Sequence, residues 1–185
     1  MSHRGEFDHI RFPLNLLCGF APFVVFTVVS RLSISLALWT ALAVSFALGL
    51  PVFLHTQKIR TLDGGGVALF GLAAILAGVL PALSNFNTAR LVVILGMLAT
   101  VLASFVLGEP FAFQYTLEEP DLARGARAIS VSWACTFAVM SVADTLATYV
   151  PAMPETLVLL VNLAAVVAAT TFTVRYAESL RRKIA

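Results

Sequence analysis

Residues 128–150 read Ala-Ile-Ser-Val-Ser-Trp-Ala-Cys-Thr-Phe-Ala-Val-Met-Ser-Val-Ala-Asp-Thr-Leu-Ala-Thr-Tyr-Val, an apolar stretch long enough to cross a bilayer that nevertheless carries one acid, Asp144. At about 1.5 Å of rise per residue, a helix starting near Arg127 places Asp144 roughly 25 Å from its first turn, inside a hydrocarbon layer about 30 Å thick. A carboxylate at that depth costs roughly 3 kcal/mol on insertion scales. The side chain is therefore expected to face other helices or water.

The rest of the chain has the same character. Of 185 residues, 59% are hydrophobic and 12% charged, whereas a soluble domain has roughly 45–50% and 25%. Stretches without Asp, Glu, Lys or Arg cover 12–30, 32–57, 64–89, 91–108 and 156–174. Each is near or above the roughly 18 residues of a spanning helix. The spacing predicts an all-α polytopic membrane protein of six transmembrane helices, about 12–30, 33–54, 65–83, 90–107, 128–150 and 156–175, arranged as three antiparallel hairpins. One integral membrane domain then fills residues 1–185. The formal charge of +2 carries no nucleic-acid inference, because the cations lie where membrane topology puts them.

With six helices, Arg4, Arg11, Lys58, Arg60, Arg124, Arg127, Arg175, Arg181, Arg182 and Lys183 share one side, and only Arg31 and Arg90 lie on the other. The positive-inside rule makes the first side, with both termini, cytoplasmic. An odd number of helices would spoil this asymmetry. The first apolar run is too long for a signal-peptide core and lacks a small-residue cleavage site, so that helix is expected to stay.

Short connections fix neighbours. Ser30-Arg31-Leu32-Ser33 folds the second helix against the first, and Pro151-Ala152-Met153-Pro154-Glu155 does the same for the last two. Pro22 is expected to kink the first helix. Gly64-Gly65-Gly66 lacks the Lys-Ser/Thr of a phosphate-binding loop and reads as a flexible lead-in to the third helix, whose Ala74 and Gly78 form a small-residue face suited to close contact. Arg31, Gly49 and Pro51 recur 59 residues later as Arg90, Gly108 and Pro110, which suggests that the first two hairpins are copies of one unit.

The last turn sets the register of the candidate site. Asp144 and Asn162 each lie six residues from the membrane boundary, about 9 Å deep on adjacent helices, so a hydrogen bond between them is expected. Thr40 reaches a similar level from the second helix, and Ser141 and Thr148 flank Asp144 at −3 and +4. Arg31 and Arg90 are the candidate counter-ions. This polar stripe has two readings. It lines a path for a proton, ion or small polar solute, with Asp144, Asn162, Thr40, Ser141 and Thr148 as the binding groups, or it is interhelical glue that fixes one arrangement of the bundle.

The longest connection, Gly108–Asp121, also carries two readings. It is a short segment in the headgroup region with aromatics toward lipid, or Phe111, Gln114, Tyr115 and Glu118 form a cytoplasmic contact cluster. Its run Pro-Phe-Ala-Phe-Gln-Tyr-x-x-Glu, followed by Ser-x-Ser-Trp-Ala-Cys-Thr-Phe-Ala at 130–138, resembles small bacterial multi-pass inner-membrane proteins of uncharacterised function. More distantly it is similar to the septation-protein-A group. The resemblance covers the last 80 residues or so and implies a bacterial inner membrane and a helical fold, with no catalytic residue or cofactor. Leu117 stands where that group usually has a basic residue.

His3 and His9 flank Glu6 and Asp8 in a tail that offers a metal no fixed frame. Cys18 and Cys135 lack ligand-like spacing, and no nucleophile–base pair or phosphate-binding motif occurs. The expectation is a permease or channel, not an enzyme and without a cofactor, in which a slender bundle favours homo-oligomers. The alternative is a non-catalytic structural or assembly subunit of a larger membrane complex.

Overall fold

A computed structural model describes residues 18–57, 60–115, 120–150 and 152–182. Among them the chain is all-helical, with six α-helices: α1 (Ala21–Val29), α2 (Ile34–Thr56), α3 (Thr61–Val79), α4 (Phe86–Val106), α5 (Pro120–Tyr149) and α6 (Glu155–Arg182). Two 3-10 turns, Pro81–Ser84 and Phe111–Tyr115, flank α4. Five helices, α2 to α6, are long and apolar enough to cross a membrane. Each helix packs on the next in sequence, α1 on α2 through α5 on α6.

The distribution of side chains fits an apolar solvent. Leu36, Trp39, Leu72, Ile75, Val106, Val142 and Leu160 lie on the outside, whereas Arg90, Asp144, Asn162, Thr173, Ser104 and Ser130 are buried. A water-facing monomer rarely exposes so continuous an apolar surface. Inside, one core gathers Phe20, Ile94, Met97, Phe111, Trp133 and Phe137, and a second joins Phe26, Leu38, Phe70 and Val93. Trp133 on α5 ties three helices together. Its ring stacks on Phe20 at 4.1 Å between centroids, and its Nε1–H donates to Thr173 Oγ1 of α6 at 3.2 Å.

Several boundaries differ from the sequence expectation. The first helix breaks at Phe20, and α1 restarts with Pro22 in its first turn, where a missing N–H costs nothing. The expected residues 12–17 lie outside the described residues, as do Asn15, Lys58, Glu118, Lys183 and the His3–His9 tail. Gly64, Gly65 and Gly66 are not a flexible lead-in but lie within α3, because tertiary contact needs them there. A Cβ on Gly65 would strike the Thr100 side chain of α4, and one on Gly66 would come within 3.1 Å of Ser45 Oγ of α2. Ala74 is buried as expected of a contact face, but Gly78 is exposed and has nothing within 4 Å of a Cβ position. The apparent repeat is not a structural one: Pro51 lies inside α2, while Gly108 and Pro110 lie in the turn after α4, Gly108 with φ +80°. Cys18 and Cys135 are both free and exposed.

Candidate functional site

Asn85 determines where Arg90 goes. With extended backbone (φ −78°, ψ 130°), it caps α4 by accepting the Asn87 N–H on its side-chain oxygen at 2.9 Å. The helix thus begins at Phe86, four residues earlier than expected, and Arg90 sits one turn inside it. Arg90 then points into the bundle rather than marking its edge. Its side chain is 6% exposed and that of Asp144 is fully buried.

Arg90 Nη2 meets Asp144 Oδ1 at 2.5 Å, joining α4 to α5. Asn162 Nδ2 of α6 donates to both carboxylate oxygens, at 3.3 and 3.4 Å, so the hydrogen bond anticipated from the Pro151–Glu155 turn is present. Three helices therefore converge on one acid. Two cations also share one ring: the Phe86 centroid lies 5.1 Å from Arg90 Cζ and 4.8 Å from Arg31 Cζ. Of the two candidate counter-ions, Arg90 is the one paired with Asp144; Arg31 is exposed and rests on Phe86.

The hydroxyls expected to line the site turn elsewhere. Thr40 donates to the carbonyls of Leu36 and Ala37, Ser141 to that of Phe137, and Thr148 to the carbonyl of Asp144 itself. Among the described residues none of the three donates to a side chain at the acid. Unused capacity is found on the charged pair's neighbours instead. Arg90 Nε, Asn162 Oδ1 and Asn87 Oδ1 are buried and have no hydrogen-bond partner. Such groups cost about 1–3 kcal/mol each when left unmade. Asn87, one turn before Arg90 on α4, was not singled out in the sequence, although the Asn85 cap could have revealed that both lie on one helix face.

The segment 111–115 forms the floor of the bundle at the end where α2 meets α3. Phe111, Ala112 and Tyr115 are buried in the protein core, whereas Phe113 between them is exposed. Helix hydroxyls satisfy the buried backbone: Phe111 N–H donates to Ser104 Oγ at 3.1 Å and Ala112 N–H to Ser130 Oγ at 3.2 Å. Gln114 caps α3, accepting the Thr61 N–H at 2.6 Å and donating to Thr61 Oγ1 at 2.7 Å. Of the expected contact segment, Phe111, Gln114 and Tyr115 are thus committed inward. Arg60 lies over the Tyr115 ring at 4.8 Å, and burial pushes the Tyr115 phenol well above its usual pKa.

Set against models of protein families, curated proteins and solved structures, the chain matches none of them.

Proposed function

We propose that the chain is a six-span protein of the bacterial inner membrane, three antiparallel hairpins with both termini cytoplasmic, acting as a small permease or channel for a proton, ion or small polar solute. One observation carries this reading. Arg90 and Asp144 form a buried ion pair, and around them a donor, Arg90 Nε, and an acceptor, Asn162 Oδ1, remain without partners. A solute bearing both kinds of group, or water, would complete them, and an ionisable pair within a membrane span marks such paths. Purified protein in liposomes is expected to show solute or proton flux that Asp144→Asn abolishes. Flux unchanged in that variant would remove Asp144 from the path.

A second reading, a structural or assembly subunit of a larger membrane complex, is favoured by a different observation: Asp144 is fully buried in protein. The pair would then fix the order of helices and carry nothing. Purification in gentle detergent separates the two readings. A single stable species, or a homo-oligomer, with no other polypeptide argues against the assembly role.

A further inference from the structure

Between α2 and α3 a cleft of about 330 Å³ opens on the outer surface of the bundle, and neither Arg90 nor Asp144 lines it. Phe46, Leu50 and Phe53 of α2 and Val67 of α3 line it, and Asp63 stands at the end where the two helices join. Its size falls at the low end of ligand sites, roughly 300–1,000 Å³. Small residues create it. A Cβ on Gly49 would lie 3.2 Å from Asp63 Cβ, so the helices approach closely there while leaving the space beside them open.

The polar end has a distinctive chemistry. Asp63 lies in the first turn of α3, and among the described residues its carboxylate makes no ion pair or hydrogen bond. Arg60, three residues earlier, is the charge that acts on it. The face of that guanidinium rests on Tyr115. Asp63 borders the apolar trough, and Arg60, one helical turn before it and outside the lining, is close enough to act on it; together they complement a headgroup carrying both charges. A solute entirely anionic or entirely apolar would leave one of them unmatched.

We propose that this cleft binds a phospholipid of the cytoplasmic leaflet with a primary-ammonium headgroup, phosphatidylethanolamine. The ammonium sits on Asp63, the phosphate on Arg60, and one acyl chain lies along Phe46, Leu50 and Val67. Three N–H donors make the ammonium the better partner for Asp63, since a trimethylammonium has none. The side of the membrane rests on the topology proposed above; the binding itself does not depend on transport.

The test is lipid retention by the full chain in mild detergent, read by native mass spectrometry with phosphatidylethanolamine, phosphatidylcholine and phosphatidylglycerol of equal chain length. Phosphatidylethanolamine is expected to be retained about tenfold better than the other two, the scale of one charge-assisted hydrogen-bonded contact. Asp63→Asn should bring the three to parity. Leu50→Trp, on the open rim of the cleft, should fill the trough and lower retention of every lipid, which keeps the test decisive if Asp63→Asn does not fold. Equal retention of phosphatidylglycerol by the wild type, an unchanged preference in Asp63→Asn, or undiminished retention in Leu50→Trp overturns the proposal. Because flux is not measured, either result leaves the transport reading standing or falling on its own experiment.

Discussion

Replacing Arg90 with Met removes the charge that compensates Asp144 while keeping much of the side-chain volume. In the folded protein Asp144 is fully buried and its nearest cationic nitrogen is 2.5 Å away, so the remaining carboxylate would keep only the long contacts from Asn162 at 3.3 and 3.4 Å. Breaking a buried pair on one side costs about 3–5 kcal/mol. Asp144→Leu alone should cost a similar amount by stranding Arg90. The double variant Arg90→Met/Asp144→Leu strands no charge and leaves only the buried Asn162 amide without its acceptor, so its stability should return to within about 1–3 kcal/mol of wild type, since apolar replacement of a buried pair is often neutral or better. The assay is reversible unfolding in mixed micelles followed by the fluorescence of Trp133, which is buried against Phe20 and reports on the core. Additive single and double effects, or an Arg90→Met variant within about 0.5 kcal/mol of wild type, would refute the reasoning. If the transport reading holds, the double variant should be folded and inactive.

Ser104→Ala and Ser130→Ala each remove the acceptor for a buried N–H, of Phe111 and Ala112 respectively. Each should cost about 1–3 kcal/mol and speed hydrogen exchange at 111–115 before it affects the rest of the bundle. Gly65→Val should destabilise by about 1–3 kcal/mol, because the β-branched Thr100 beside it yields little, whereas Gly78→Ala, in open space, should stabilise α3 by roughly 0.5–1 kcal/mol; thermal unfolding compares the two. Tyr115 has a raised pKa in the fold, so its contribution to stability is complete below the unfolded value of about 10 and is lost as pH rises beyond it. The difference in stability between wild type and Tyr115→Phe should therefore be flat up to about pH 10 and then shift against the wild type, and a difference that is flat throughout would refute the assignment.

The long apolar runs were legible as helices because hydrocarbon imposes length and polarity on every segment suited to cross it. The meeting of Asp144 with Asn162 was legible for a similar reason, since a five-residue turn leaves two neighbouring helices little freedom of register. Arg90 was identified as a partner, but its depth was not, because that depends on Asn85 starting the helix early. Phe111 and Tyr115 could not be assigned from local sequence: an aromatic at a membrane interface and one in a core look alike. The backbone of that segment is held by Ser104 and Ser130, through the N–H groups of Phe111 and Ala112, and both serines belong to other elements. The Gly64-Gly65-Gly66 run of α3 reads as flexible for a comparable reason, as the side chain of Thr100 that requires one of the three to be glycine lies on another helix.

The pairing of Arg90 with Asp144 also sets a problem of timing during synthesis. Arg90 enters the bilayer with α4 roughly fifty residues before its anionic mate has been made, an interval on the order of 3 to 10 s at typical elongation speeds of about 5–20 residues per second. Phe86 travels in the same helix, one turn away, and its ring already faces the guanidinium. That contact, unlike the ion pair, needs nothing synthesised after α4.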